Sequence, residues 1–258
     1  MNNCVLICNC FLMCNYGIIA ENRDCRRDDI MHVKGKLYFA IIGDLIDSRK
    51  ITDRSSFQQE YAGLLSEINE LYVSEIVSRF AITLGDEFQG VLGSAQRIME
   101  ILNTISVRLY PQKIRFGIGI GEMTTNPELD RSIGMDGPAF WRARSAIEYI
   151  HDDNDYGVSR TYVKATDDAD TGLINSSLAA NDFMYSRMTP AQMETFQELI
   201  KMDAAWSDFE QKQIAKRLKI APSSVLRRIK GSGLKIYLRN SKEISSAIQS
   251  LGVNDENN

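Results

Sequence analysis

The chain has 258 residues, 44 % of them hydrophobic and 25 % charged, with a formal net charge of −4. Such values exclude fibrous and low-complexity chains and leave a globular protein of one large or two small domains. All five cysteines (Cys4, Cys8, Cys10, Cys14, Cys25) fall in the first 25 residues. A secreted disulfide scaffold would spread them through its core, so the body reads as cytoplasmic.

The apolar run from Val5 to Ala20 is too short and too interrupted for a membrane span, and no basic residue precedes it as in a signal peptide. The cysteine spacing lacks the paired C-x2-C of common zinc sites. Residues 1–30 therefore read as a disordered or non-native extension, with Met31 as the working start.

In chain order, Leu37–Gly43 is a continuous apolar run closed by glycine, the pattern of a buried strand. Phe57, Tyr61, Leu64, Leu65, Ile68 and Leu71 recur at helical spacing behind Asp53 or Ser55 as cap. Arg79–Leu84 and Phe88–Leu92 read as a hairpin with Gly85-Asp86 at its tip. Ser94 is placed to cap a helix whose face carries Ala95, Ile98, Met99, Leu102 and Ile105. Ile114–Ile120 alternates with period two, a strand. On its other face Gly117, Gly119 and Gly121 permit close approach by a ligand or by another backbone.

The order β-α-β-β-α-β predicts an α+β, ferredoxin-like domain over 31–165. Gly137-Pro138 opens a further helix over Ala139–Tyr149. A short strand is expected within 156–163, then an acidic loop at 167–170. Residues 166–204 read as a helical connector broken at Thr189-Pro190, 205–242 as an all-α helix-turn-helix domain, and 243–258 as a C-terminal tail whose last ten residues are polar and loose. Residues 206–242 hold ten Lys or Arg against two acids, a local charge of +8, leaving −12 for the rest. A basic module on an acidic body predicts two partners.

In that module Ile214, Ala215 and Leu218 form one apolar face, Ile220-Ala221-Pro222 a turn, and Val225 and Ile229 the inward side of a second helix. Ser223 would cap it, and Ser224, Arg227, Arg228 and Lys230 would point outward. Arginines fork onto guanine or grip phosphates, so these five residues are the candidate DNA contacts. The other readings are a solvated basic helix pair and a docking module that borrowed the fold. One such module binds weakly, so a homodimer is expected.

Asp44 and Asp86 each follow a glycine at the end of a strand-like run. Either alone reads as a turn cap. Together, on neighbouring strands, they suit a hard divalent ion, which takes one or two carboxylates plus phosphate oxygens. His32 and His151 have no nucleophile or metal partner in the sequence. Trp141 reads as core or interface, and Glu122 as a surface acid.

Ile42-Gly-Asp-Leu-Ile-Asp-Ser-Arg49, Leu84-Gly-Asp-Glu-Phe-Gln-Gly90, Arg115-Phe-Gly-Ile-Gly-Ile-Gly-Glu122 and Gly134-Met-Asp-Gly-Pro-Ala-Phe-Trp-Arg-Ala-Arg144 together resemble the SatD family across residues 36–240. The resemblance implies a link to acid tolerance and to a small membrane protein. The same blocks are similar, more distantly, to the palm of class III nucleotidyl cyclases and GGDEF diguanylate cyclases. That likeness implies Mg2+ or Mn2+ held by Asp44, Asp86 and Glu87. It also implies a nucleotide or cyclic nucleotide whose phosphates face the main chain of Leu45, Ile46 and Asp47, with Arg49 offsetting their charge. Arg142 and Arg144 are the candidate catalytic groups. Phe140, Trp141 and Arg142 stand where those cyclases carry a transition-state Asn, which counts against catalysis. The expected function is a regulator that binds metal, nucleotide and DNA. The alternatives are an active metal-dependent cyclase or nucleotide hydrolase, and a protein-interaction module with a degenerate site.

Overall fold

The computed structural model describes residues 35–83, 85–125, 127–129, 134–166, 171–202 and 210–253. The N-terminal extension with its cysteines, the 167–170 loop and the last five residues of the expected tail lie outside that set.

β1 (Tyr38–Leu45) is covered on both faces, which is why its sequence is continuously apolar. Phe39, Ile41 and Leu45 join the core formed by α1 (Arg54–Leu71) and α2 (Ile98–Leu109). Ala40 and Ile42 lie under α3 (Pro138–Asp152). β2 (Ile76–Ile82) and β3 (Glu87–Leu92) form the hairpin. With β4 (Ile114–Gly121) and β5 (Thr161–Lys164) they make a five-stranded sheet in the order β2-β3-β1-β4-β5. Only β5 pairs parallel, with β4. The fold is thus α+β, with eight α-helices among the described residues.

Several boundaries differ from the sequence expectation. β1 runs on through Asp44 and Leu45, because ladders on both sides carry it. β2 starts at Ile76. α2 starts at Ile98, because Ser94 does not cap it: Ser94 Oγ and the Ala95 N–H both donate to Gln249 Oε1, at 3.1 and 2.5 Å. β5 starts only at Thr161, after Asp155 and Tyr156 take left-handed φ values of 47° and 58°.

α4 (Gly172–Ser186) and α5 (Pro190–Lys201) break at Thr189, whose hydroxyl accepts from the Gln192 N–H while Gln192 returns the bond. α6 (Gln211–Leu218) and α7 (Pro222–Ser232) follow, separated by a turn in which Lys219 is left-handed. Ile214, Val225 and Ile229 are buried against Phe196 and Tyr237. The chain then continues as α8 (Leu234–Val253), a 20-residue helix across the 242 boundary expected from composition. α8 belongs to both cores. Tyr237 and Leu238 pack with α5–α7, while Ile244 and Ile248 pack beneath the sheet. Polar bonds fix it laterally: Tyr237 Oη donates to Asn103 Oδ1 at 2.6 Å, and Asn181 Nδ2 donates to Ser241 Oγ at 2.9 Å.

Both sheet edges are closed by asparagine side chains that imitate a neighbouring strand. On β2, Asn69 accepts from the Phe80 N–H at 2.8 Å and donates to its carbonyl at 3.0 Å. On β5, Asn175 does the same for Val163, at 2.8 and 2.9 Å. Unpaired edges invite association with other chains. Beside Asn175, Asp182 accepts from the N–H groups of Arg160 and Thr161, at 2.7 and 2.9 Å. Replacing either asparagine by Ala strands a backbone donor and acceptor, so each should lower unfolding free energy by about 1–3 kcal/mol. The two sites are on opposite edges and the losses should add. Urea unfolding of the single and double variants checks this; changes within about 0.5 kcal/mol, the level of ordinary surface substitutions, would remove the edge-closing role.

Candidate functional site

The site begins with β4. A Cβ at Gly117 or Gly119 would overlap backbone atoms of α3, at the Ala143 and Ala139 carbonyls respectively. The alternating glycines therefore serve close helix-on-sheet packing, one of the two readings open from sequence. With α3 pressed onto the sheet, Arg144 reaches β3 and grips Glu87 with both terminal nitrogens, Nη2 at 2.8 Å from Oε1. Thr83 Oγ1 donates to the same Oε1 at 3.1 Å.

Asp44 is the register partner of Glu87 on one side and of Arg115 on the other. Arg115 Nε lies 3.4 Å from Asp44 Oδ2. Directly opposite residues on antiparallel strands have Cα atoms roughly 4.5–5.5 Å apart. Asp86 sits beside this rung at the hairpin tip. Gly85, at φ 74°, makes the turn that a side chain would strain. The Asp86 carbonyl accepts from the Leu45 N–H at 3.1 Å, and its carboxylate accepts from Ser48 Oγ at 2.6 Å.

Three carboxylates thus meet two guanidiniums, leaving one negative charge uncompensated. Burial raises the Asp44 pKa; Arg115 opposes this, Asp86 and Glu87 add to it, and His151 offsets part. From the α1 side, the fully buried Tyr61 hydroxyl has no hydrogen-bond partner among the described residues, and neither has Arg115 Nε by bond geometry. Burial holds the Tyr61 phenol well above its ordinary value, reinforced by Asp44, Asp86 and Glu87.

The donor set fits a divalent cation in part. Asp44 and Asp86 offer hard oxygens, enough for an ion that takes its other ligands from phosphate or water. Glu87, expected as a third ligand, has both oxygens occupied by Arg144. Among the described residues no group of three or more His, Cys, Asp or Glu is arranged to hold a metal.

Other expected residues are redistributed. The Leu45 and Ile46 N–H groups are bonded within the fold, to Asp86 and to Lys113 at 2.9 Å, so they do not face a ligand. Asp47 is left-handed and pairs with Lys50 at 3.1 Å, and Arg49 is exposed. Of the two candidate arginines only Arg144 reaches the acids. Arg142 donates to the Ile120 carbonyl at 2.7 Å. Ile120 lies five residues along β4 from Arg115, about 17 Å at strand rise. Ser48, Tyr61 and Arg115 were not singled out from sequence. Arg115 heads a quoted motif, but only the strand register shows that it faces Asp44. Trp141, expected in the core or an interface, is 58 % exposed.

On α7, Ser223, Arg227 and Lys230 are exposed and Ser224 is half-buried. Arg228 does not point outward. Its Nη1 donates to Glu194 at 2.8 Å and to the Ala191 carbonyl at 3.0 Å, on α5. No helix among the described residues is long and apolar enough to cross a membrane.

Because its pKa is raised, Asp44 holds a proton more readily folded than unfolded. Its charge therefore costs stability at neutral pH, and the cost fades as pH falls through the raised value. Asp44→Asn should raise Tm at pH 7 without added metal, with a gain that shrinks toward pH 4. A lower Tm than wild type at pH 7 would contradict this charge balance.

A search of curated proteins gives no match. The SatD family matches residues 38–248, from the first strand to the second half of α8. That span includes the acid rung, α3 and the α6–α7 pair, and the chain belongs to the SatD family.

Proposed function

We propose that the protein is a cytosolic regulator that binds a nucleotide through Mg2+ or Mn2+ at Asp44 and Asp86, and DNA through α6, its turn and α7. The acid rung carries this reading. Two hard carboxylates stand at the end of β1 and the hairpin tip, in a cluster with surplus negative charge and an unpartnered phenol beneath. A cation would relieve the repulsion that raises the Asp44 pKa, and its remaining ligand positions suit phosphate oxygens. The strand order β2-β3-β1-β4, with α1 and α2 on one face, supports a ferredoxin-like palm of the cyclase and GGDEF type.

For the DNA half, the support is the three-residue turn between α6 and α7 and the exposure of Ser223, Arg227 and Lys230 on the second helix. Arg228 drops out as a contact and becomes a clamp onto α5.

A second reading, metal-dependent phosphoryl transfer, is favoured by Arg144, which brings a guanidinium to the acids. It is weakened by the distance of Arg142 and by the tight hold of Arg144 on Glu87. Incubation with Mn2+ and each nucleoside triphosphate, followed by product separation, distinguishes an enzyme from a sensor.

Isothermal titration of the full chain with Mg2+ and ATP, GTP or cyclic dinucleotides tests the nucleotide claim. At least one should bind wild type, and Asp44→Ala should weaken it by tenfold or more, on the order of 1.4 kcal/mol. Absence of binding to wild type, or equal binding to Asp44→Ala, removes the claim.

A further inference from the structure

We infer that the cavity beneath Trp141 receives the base of the nucleotide whose phosphates meet Asp44 and Asp86. The inference rests on the acid-rung reading above and specifies where the rest of the ligand lies. The cavity has a volume of about 440 Å3, within the usual range of small-molecule sites. Its floor is Ile42 and Gln89, which are register partners on β1 and β3. The next rung on the same face is Asp44 and Glu87, two residues farther along each strand. That separation is about 7 Å. A base on the first rung and phosphates on the second can be joined by one sugar.

The walls supply what a planar heteroaromatic ring needs. Met135, Phe140 and Trp141 are apolar surfaces. Trp141 is large and exposed, and its Nε1 donates to Asp136 Oδ1 at 2.6 Å. A ring oriented by such a bond loses less rotamer freedom when a base stacks on it. Arg144 lines the cavity and also grips Glu87, so one side chain adjoins both the base position and the acids.

A larger cavity, of about 720 Å3, lies between α1 and the turn after α2. It is on the opposite face of the sheet from the Asp44 and Glu87 side chains. Its Arg108 is paired with Glu67 at 2.9 Å. The smaller cavity shares the face of the carboxylates.

Titration of the full chain in Mg2+ with three kinds of probe tests the assignment: ATP and GTP, adenosine and guanosine, and inorganic tripolyphosphate. Wild type should bind a triphosphate nucleotide more tightly than tripolyphosphate. Trp141→Ala should weaken nucleotide and nucleoside by about 5- to 100-fold, the range of base–aromatic stacking, and leave tripolyphosphate unchanged. Trp141→Phe should recover most of the loss. Nucleotide affinity unchanged in Trp141→Ala, with tripolyphosphate still bound, overturns the base cavity and spares the acid rung. Failure of tripolyphosphate to bind wild type overturns the acid rung and this assignment with it.

Discussion

The close seating of α3 on the glycines of β4 is the constraint from which the site follows. A side chain at Gly119 would overlap the Ala139 carbonyl, so the helix can approach only because that face of β4 is bare. From this position Arg144 spans to β3 and neutralises Glu87, and Phe140 and Trp141 wall the cavity above Ile42. Beyond Gly117 on the same face of β4 stands Arg115, which turns to Asp44. The seating of α3 therefore sets Arg144 and the aromatic wall, while the register of β1 with β4 sets Arg115.

The acids are held in different ways. Glu87 is locked by a fork from Arg144, an arrangement that fixes geometry more than it offers a ligand. Asp86 is bound by one hydroxyl and one main-chain contact, which leaves lone pairs available. Asp44 is raised by burial and by its two acidic neighbours, against Arg115 and, last, His151. A cation at Asp44 and Asp86 would replace repulsion by attraction where the protein is least satisfied. The same helix α8 that closes the sheet core also supplies Tyr237 and Leu238 to the α5–α7 core. A change at the sheet thus has a continuous packed path to α7, without a flexible linker among the described residues of α8.

Most of the strand and helix order was legible because apolar periodicity and glycine punctuation are local signals. Asp44 and Asp86 were legible as a pair for the same reason, each standing behind a glycine after an apolar run. What escaped was set by partners distant in sequence. Ser94 looked like a cap, but Gln249, 155 positions away, claims it. Arg228 looked like a surface contact until α5 folded beside it. Leu45 and Ile46 resembled a phosphate loop, yet the hairpin and the Lys113 turn take their N–H groups. Residues 243–253 look like a tail by composition, yet they continue α8, whose Asn240, Ser241, Ser245 and Gln249 bond to Asn181, Asn103 and the start of α2 as a lateral lock. The glycine stripe was seen, but only the fold chooses between ligand and helix as the body that fills it.

We propose that nucleotide bound at the acid rung sets the affinity of α6 and α7 for DNA. The most direct measurement is fluorescence anisotropy of a labelled DNA duplex with the full chain at fixed salt, with and without Mg2+–nucleotide, in wild type and Asp44→Asn. The duplex should bind, with an affinity that falls steeply with added salt as phosphate contacts require, and nucleotide should shift that affinity in wild type only. No duplex binding at low salt, or a nucleotide effect of equal size in Asp44→Asn, would contradict this proposal.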